Sequence, residues 1–270
     1  MDYGVSNDSG QISNSEIEKI LDTAISSNIE WIDTAADYGN AEIILGRYPL
    51  SKFKVITKLK LKPNIYEKEL IKNYVKASVS ESIERMKLLN IYGVMLHNPH
   101  ELNSSQKQFF FEALEELQSE KIIFKFGLSL YEPPTNLGNF TDLLQLPGNA
   151  FDNRAFRFLD AIPDKRRQLV FIRSIFLQGL LIIENYKEHN FAKKWSEFLD
   201  PWHEYLKGLS ISPKQAAVWH VLNKCQGSNL VIGVQSAKQF LEILDIYRNR
   251  EEFEYFGSSI SSNLYDPRNW

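Results

Sequence analysis

The sequence predicts an α/β fold, a (β/α)8 barrel, and three observations lead to that prediction. Short apolar runs alternate with longer amphipathic segments along most of the 270 residues, a pattern typical of parallel strands joined by covering helices. Seven such strand–helix units are recognisable, and a chain of about 250 residues is the usual size of one barrel. No G-x-G-x-x-G follows any predicted strand, so the fingerprint of an open, doubly wound sheet is absent.

The predicted strands are short apolar runs, rich in β-branched and aromatic residues, that end in turn-forming residues. In chain order they are 30–34, 52–58, 92–97, 124–129, 143–147, 169–176 and 229–234. Amphipathic runs with an apolar residue at every third or fourth position predict the joining helices. These are 15–28, 39–48, 66–89, 105–121, 191–209, 212–225 and 236–249. Ser15 and Glu18 have capping-box spacing at the first helix, and Ser212-Pro213 opens the helix at 212–225.

The composition and charge of the chain indicate which classes of protein it can belong to. No linker, repeat or low-complexity tract divides the chain, so residues 1–270 are predicted to form a single barrel domain. A net charge of −3 gives no reason to expect a nucleic acid or a membrane surface as partner. No apolar run approaches the roughly 20 residues of a membrane span. The polar start of the chain has no signal-peptide pattern, so a cytoplasmic location is expected.

Cysteine and histidine usage argues against a metal centre. The single cysteine, Cys225, excludes an internal disulfide and a cysteine-based zinc cluster. His97 and His100 are three residues apart, but no third clustered ligand accompanies them. No metal site is therefore predicted, and Cys225 is expected to be an ordinary core or boundary residue.

Polar side chains lie where the predicted strands end. Asp33 ends the first strand, Lys58 the second and His97 the third, and Tyr38 follows Asp33 by five residues. Barrel strands are buried on both faces, and active sites of this fold lie at the carboxyl ends of the strands. A structural polar cluster is the alternative, but proton transfer needs these four residue types and a scaffold does not.

The four residues together have a definite chemistry. A free phenol has a pKa of about 10 and is a poor acid at neutral pH. An ammonium from Lys58 close to Tyr38 would lower that pKa, and Asp33 would balance the ammonium. A neutral His97 would donate a hydrogen bond to a substrate oxygen. The quartet is thus predicted to protonate a carbonyl oxygen, which is useful if a nicotinamide cofactor delivers hydride to the carbon.

Beyond these four residues, the sequence resembles the aldo-keto reductases across most of its length. The matching segments, in the family's order, are IDTAADYGNAEIILGR (32–47), VITKLK (55–60), VMLHNP (94–99), FGLSLYEP (126–133), LLQLPGNAFDNR (143–154), RSIFLQGLL (173–181) and VIGVQSAKQFLE (231–242). The resemblance implies a (β/α)8 barrel that binds NADP(H), rarely NAD(H), without a Rossmann domain. It also implies an enzyme that reduces a small-molecule aldehyde or ketone.

The resemblance further implies a role for each matching position. Tyr38 would be the general acid/base, Lys58 and Asp33 its tuning pair, and His97 the residue that orients the substrate. The residues implied to bind the cofactor are Ser129 and Gln145 at the carboxamide, Ser174 at the pyrophosphate, and Gly233, Ser236, Lys238, Gln239 and Glu242 near the adenosine phosphate and adenine.

Three positions depart from the family's pattern. Leu130 replaces the asparagine that usually follows Ser129, which removes one carboxamide contact. Gln239 replaces the arginine that grips the 2′-phosphate, and Lys238 beside it supplies charge without a bidentate fork. Ile243 replaces an asparagine that would face adenine. NADP(H) is therefore the expected cofactor, and NAD(H) stays an alternative.

The start of the sequence is the largest departure. The family's first barrel strand would precede Tyr3-Gly4, and the sequence begins at Met1, so that strand is expected to be absent. A missing strand would leave two unpaired edges and an open seam. The N-terminal segment, the aromatic-rich tail 253–270 or a second copy in a homodimer is expected to cover it. These departures also support a rival function, a non-catalytic barrel that serves as a binding or regulatory module.

Overall fold

The structure is a computed structural model that describes residues 12–134, 142–162, 169–255, 262–266 and 269–270. Its strands form one seven-stranded parallel sheet in which each strand pairs with the next along the chain, as predicted. The strands are β1 (Trp31–Asp33), β2 (Lys54–Leu59), β3 (Ile91–Leu96), β4 (Ile123–Ser129), β5 (Leu143–Pro147), β6 (Leu169–Arg173) and β7 (Asn229–Leu230).

Helices cover the outside of the sheet, one after nearly every strand. They are α1 (Asn14–Ser26), α2 (Ala41–Leu45), α3 (Lys68–Met86), α4 (Ser104–Ser119), α5 (Arg154–Asp160), α6 (Ser196–Leu209), α7 (Pro213–Lys224), α8 (Ala237–Arg248) and the short α9 (Ser262–Tyr265). Shorter 3-10 turns span Pro99–Glu101, Leu177–Ile182 and Ala192–Trp195. Among the described residues, none of these helices has the length and apolar character that a bilayer crossing needs.

Helix starts follow local capping chemistry. At α7 the prediction is confirmed, because the Ser212 hydroxyl accepts a hydrogen bond from the Gln215 N–H and the Gln215 side-chain oxygen accepts one from the Ser212 N–H. At α1 the predicted cap is wrong by two residues. Ser13, rather than Ser15, is the cap, and its hydroxyl accepts from the Glu16 N–H.

Two strands end three or more residues before their predicted limits. The run 169–176 ends as a strand at Arg173, because Ser174 takes a left-handed backbone with φ of 60° and turns the chain out of the sheet. The run 229–234 forms a ladder with β6 only over Asn229 and Leu230. Its apolar residues Leu230, Ile232 and Val234 are partly buried against the core, but β6 ends close by and offers few further backbone partners.

The sheet curls until distant strands meet in its interior. Ile56, Met95, Leu143 and Phe171 form an interior core, and Trp31 of β1 contacts Phe171 of β6 with ring centroids 5.3 Å apart. Alternate residues of the same strands point outward into two larger clusters beneath the helices. The interior contact between β1 and β6 is what makes this sheet a barrel-like shell, which places the carboxyl ends of its strands around one mouth.

The gap between β1 and β7 is covered on its outer side by helices. In the described ranges no ladder joins β1 to β7, but α1 packs against α8 there. The carboxylate of Glu16 accepts a hydrogen bond from the backbone N–H of Ala237 at 2.8 Å. In the predicted cover 253–270, Phe253 and Tyr255 pack on Trp202 of α6. The other predicted cover, residues 1–11, lies outside the described residues.

Candidate active site

A buried ion pair lies at the carboxyl ends of β1 and β2. Side chains alternate along a strand, so the residues two positions beyond the interior-facing Trp31 and Ile56, which are Asp33 and Lys58, also face the interior. The Lys58 side chain is 1% exposed, and its Nζ donates to Asp33 Oδ2 at 2.6 Å and to the Thr34 carbonyl at 2.9 Å. A buried ammonium needs such partners, and here they fix its position.

The phenol of Tyr38 lies beside this ammonium. Tyr38 is carried by the turn between β1 and α2, where its N–H bonds to the Ala35 carbonyl and Gly39 follows with φ of 56°. A left-handed backbone of that kind suits glycine and lets the chain enter α2 immediately. Lys58 Nζ is 5.1 Å from the centroid of the Tyr38 ring. The predicted tuning group is therefore directly against the phenol.

His97 completes the group of four from β3. Its backbone N–H bonds to the Leu59 carbonyl, which continues the β2–β3 ladder by one residue. The imidazole meets the Tyr38 ring edge to face, with centroids 5.8 Å apart and an interplanar angle of 73°. The four residues that the sequence singled out thus lie together at one end of the sheet.

Asp37, which sequence reasoning did not single out, belongs to the same group. Its Oδ1 lies 3.1 Å from His97 Nδ1, and its Oδ2 lies 2.7 Å from Lys60 Nζ. Partial burial opposes the ionisation of Asp37, but the hydrogen bonds and charges of His97 and Lys60 outweigh it and hold the pKa of this carboxyl well below its usual range. The only signal in the sequence is its place directly before Tyr38.

The two residues predicted to bind a carboxamide are also brought to the mouth. Ser129 ends β4 and Gln145 lies in the middle of β5, and both are buried. Ser129 Oγ donates to Gln145 Oε1 at 3.1 Å, and Gln145 Nε2 donates to Asp33 Oδ1 at 2.8 Å. A line of hydrogen bonds therefore crosses the mouth from β4 through β5 to β1.

Ser174 stands next to an arginine that the sequence prediction passed over. Arg173 donates to Ser174 Oγ and to the Leu130 carbonyl, both at 3.1 Å, and its guanidinium lies 4.7 Å from the centroid of the Tyr131 ring. Asn149 donates to the Ser174 carbonyl at 3.1 Å and holds the turn. The end of β6 thus presents a fixed cation at the mouth.

The residues predicted to bind the adenosine end gather at the start of α8. Ser236 caps the helix by accepting from the Gln239 N–H, and the Gln239 side chain accepts from the Gln235 N–H at 2.8 Å. Glu242 is paired with Lys214 at 2.7 Å. Lys238 and Gly233 are exposed, and a Cβ added at Gly233 would meet nothing within 4 Å.

A cavity of about 350 Å³ opens between the segments that follow β3 and β4. It is lined by Pro99, His100, Lys107, Leu130, Tyr131 and Glu132. Two of these lining residues, His100 and Tyr131, contact each other edge to face, with ring centroids 5.7 Å apart. The loops after strands carry no readable pattern, so this cavity could not be predicted from the sequence.

The single thiol, Cys225, lies apart from this chemistry. Within the described ranges, no three His, Cys, Asp or Glu side chains are grouped so that they could hold a metal ion. Cys225 is buried at the end of α7, where burial raises the pKa of its thiol to about 12. The thiol is therefore in its neutral form, as expected of a core residue.

Comparison with known proteins gives one family and one fold. Residues 3–140 match the model of the Aldo/keto reductase family, and no curated protein matches the chain. Among solved structures, the holo form of aldo-keto reductase AKR11C1 from Bacillus halodurans has a TM-score of 0.67 at 16% identity, over 95% of this chain and 92% of that one. The glycerol dehydrogenase AKR11B4 from Gluconobacter oxydans has a TM-score of 0.66 at 19% identity, over 93% and 83%. A putative aldo-keto reductase from Pseudomonas aeruginosa gives 0.66 at 17%, over 91% and 85%. At such identities, the structural likeness establishes the fold.

Proposed function

Because the chain belongs to the Aldo/keto reductase family, a family of NAD(P)H-dependent oxidoreductases that act on carbonyl compounds, we propose that it reduces an aldehyde or ketone to an alcohol with Tyr38 as the proton donor. One observation carries the proposal. The ammonium of Lys58, held by Asp33 at 2.6 Å, lies against the Tyr38 ring, and the His97 ring meets the Tyr38 ring edge to face. Each of the four side chains has a part in proton transfer to an oxygen.

The proton comes from Tyr38 because its neighbours make the phenol a better acid. A nearby ammonium favours the phenolate, and the buried pair with Asp33 keeps the ammonium in place during the transfer. The carbonyl oxygen of the substrate binds between Tyr38 and His97. A bound nicotinamide supplies the hydride that reaches the carbonyl carbon.

The residues of the mouth fit a dinucleotide. Gln145 and Ser129 offer a buried amide and a hydroxyl, which suit the donor and acceptor groups of a carboxamide. Arg173, fixed beside Ser174, suits a pyrophosphate. The start of α8 has free space at Gly233 and an exposed ammonium on Lys238 for the adenosine end.

NADPH is the proposed hydride donor, with NADH as the alternative. Lys238 supports a 2′-phosphate because it is the exposed cation in the first turn of α8. Two contacts favour NADH instead. The side chain of Gln239 is engaged with the Gln235 N–H, and the Glu16 carboxylate takes the Ala237 N–H, where it would meet an incoming phosphate as a like charge.

The cavity beyond His97 suits the part of the substrate that does not react. Its lining combines the Tyr131 ring and Leu130 with the polar groups of His100 and Lys107. Small aldehydes or ketones with an apolar or aromatic group fit this volume of about 350 Å³.

The experiment that tests the proposal measures turnover and dinucleotide affinity in the same variants. Oxidation of NADPH with a panel of small aldehydes is followed by absorbance, and NADPH affinity by fluorescence titration. Tyr38→Phe is expected to abolish turnover and to leave NADPH affinity nearly unchanged, whereas Tyr92→Phe, at the opposite end of β3, keeps both. Reduction at the wild-type rate by Tyr38→Phe would show that another group donates the proton.

A second function, a non-catalytic binding or regulatory module, is favoured by the Glu16 carboxylate at α8 and by Leu130 at the mouth. The same titration separates the two functions. Saturable NADPH or NADH binding supports the reductase, and no binding at millimolar dinucleotide supports the module.

A further inference from the structure

We propose that Asp37 is a positioning residue for His97. Its carboxylate holds a ring hydrogen on His97 Nδ1, so that the imidazolium is the form of His97 that contacts the substrate oxygen. The proposal rests on the proposed function, because it concerns the same site. Asp37 bridges two parts of that site. It directly precedes Tyr38 in the β1–α2 turn, and its carboxylate reaches His97 on the end of β3.

The hydrogen-bond partners of Asp37 keep its carboxyl group ionised. Its two oxygens lie 3.1 Å from His97 Nδ1 and 2.7 Å from Lys60 Nζ. These partners keep the pKa of the carboxyl well below its ordinary value despite partial burial. Asp37 is therefore a carboxylate at neutral pH, and a carboxylate only accepts hydrogen bonds.

The contact with Asp37 determines which nitrogen of the His97 ring carries hydrogen. Because Asp37 Oδ1 only accepts, the hydrogen bond at 3.1 Å requires the hydrogen on His97 Nδ1. In a neutral ring, Nε2 then carries a lone pair and cannot donate to a carbonyl oxygen. Only the imidazolium donates from both nitrogens. This differs from the expectation that a neutral His97 donates to the substrate.

Several charged groups lie near the His97 ring. Asp37 contacts the imidazole directly, whereas Lys60 is paired with Asp37 and Lys58 lies over the Tyr38 ring. The titratable and charged groups on the elements next to His97 are Asp37 and Tyr38 in the β1–α2 turn, Lys58 and Lys60 at and just beyond the end of β2, and His100 and Glu101 in the turn after β3. Among them, Asp37 is the acid that the structure places on the ring itself.

A purely structural role for Asp37 makes different predictions. Its bridge to Lys60 lies at the surface, where the Lys60 side chain is about half exposed, and such pairs stabilise little. If Asp37 only anchors the turn through Lys60, then Asp37→Asn and Lys60→Gln should have the same effects. If Asp37 sets the state of His97, only the Asp37 variants should change it.

The test reads the imidazole directly and does not depend on turnover. Long-range ¹H–¹⁵N NMR of the histidine rings reports which nitrogen carries hydrogen, and His97→Gln identifies the His97 signals among the five histidines. In the wild-type protein and in Lys60→Gln, His97 Nδ1 is expected to be protonated. In Asp37→Ala, the neutral ring is expected to carry its hydrogen on Nε2. A neutral Nε2–H ring in the wild-type protein would overturn the proposal.

The kinetic arm uses the full chain with NADPH and a reactive aldehyde. Asp37→Asn is expected to lower kcat/KM by roughly tenfold or more and to move the loss of activity at high pH to lower pH. Asp37→Glu should recover part of the rate, and Glu112→Gln, which removes a carboxylate on α4, should keep it. An unchanged pH profile in Asp37→Asn also contradicts the proposal. If Tyr38→Phe turns over normally, the proposed function fails, and the NMR result still decides the role of Asp37.

Discussion

Gln145 and Asp33 are 112 positions apart in the chain, and their side chains meet at the mouth of the barrel with Nε2 and Oδ1 2.8 Å apart. The second oxygen of the same carboxylate accepts from Lys58 at 2.6 Å. Both oxygens of Asp33 are therefore engaged, one by the proposed carboxamide-binding residue and the other by the proposed tuning ammonium. The proposed proton-donating group and the proposed dinucleotide-binding group therefore share this one carboxylate.

The first prediction concerns the buried pair. Lys58→Met leaves Asp33 without its cation, so we expect turnover to be lost and the free energy of unfolding to fall by about 3 kcal/mol. Urea unfolding followed by circular dichroism measures the second effect. Lys54→Met is the matched control, since its pair with Glu30 is exposed, and we expect a change within about 1 kcal/mol. Equal losses in the two variants would show that burial adds nothing to the Lys58 pair.

The second prediction concerns cofactor preference at α8. The Glu16 carboxylate holds the Ala237 N–H at 2.8 Å, and that hydrogen bond keeps the pKa of Glu16 below its ordinary value. Glu16→Gln removes a negative charge where a 2′-phosphate would approach, so NADPH affinity should rise several-fold, and NADH affinity should change little. Fluorescence titration with both dinucleotides measures the ratio. Glu18→Gln, an exposed neighbour on α1, is the control, and equal gains for NADPH and NADH would exclude this role of Glu16.

The third prediction is a loss of stability in mild acid that comes from His220. Burial, and to a smaller extent the charge of Lys224, lowers the pKa of this histidine to about 4. The ring stays neutral because the Tyr255 N–H donates to Nδ1 at 3.2 Å and Nε2 donates to Asn153 Oδ1 at 3.3 Å.

Because the pKa of His220 is lower in the folded protein than in the unfolded chain, the free energy of unfolding falls as the pH falls. In the unfolded chain, the imidazole gains its proton near pH 6.5. Its contribution to stability is therefore complete above that pH and is lost as the pH falls toward 4, with a slope of up to about 1.4 kcal/mol per pH unit. Urea unfolding at pH 7 and pH 5 should show a smaller difference in His220→Gln than in wild type. His100, whose side chain is about half exposed, provides the control, and His100→Gln should show the same difference as wild type. If His220→Gln also shows the wild-type difference between pH 7 and pH 5, His220 is not the source of the acid sensitivity.

Much of the fold was readable in the sequence because buried parallel strands leave uninterrupted apolar runs. All seven strands lie within or beside their predicted ranges. Strand ends were less readable, since they depend on neighbours. The left-handed backbone at Ser174 cuts β6 short, and β7 shrinks to two residues because its ladder with β6 is brief. The prediction failed at the positions where pairing partners, rather than local composition, decide the structure.

The candidate site was readable where its residues end strands. Asp33, Lys58 and His97 were found because a charged residue at the tip of an apolar run demands a reason. Asp37 was missed because it sits in a turn, where an acid needs no explanation, and Glu16 because its partner is 221 positions away. Contacts between turns, or between a helix start and a distant backbone N–H, leave no periodic signal in the sequence.

The buried, un-ionised thiol of Cys225 makes the protein convenient for spectroscopy. Maleimides react with the thiolate, and this chain has no other cysteine. A sulfhydryl placed by mutation at the exposed Ile43 on α2, shortly after the turn that carries Tyr38, would therefore take up a dye selectively. A fluorophore attached there would report movements of that turn as dinucleotide and aldehyde are added.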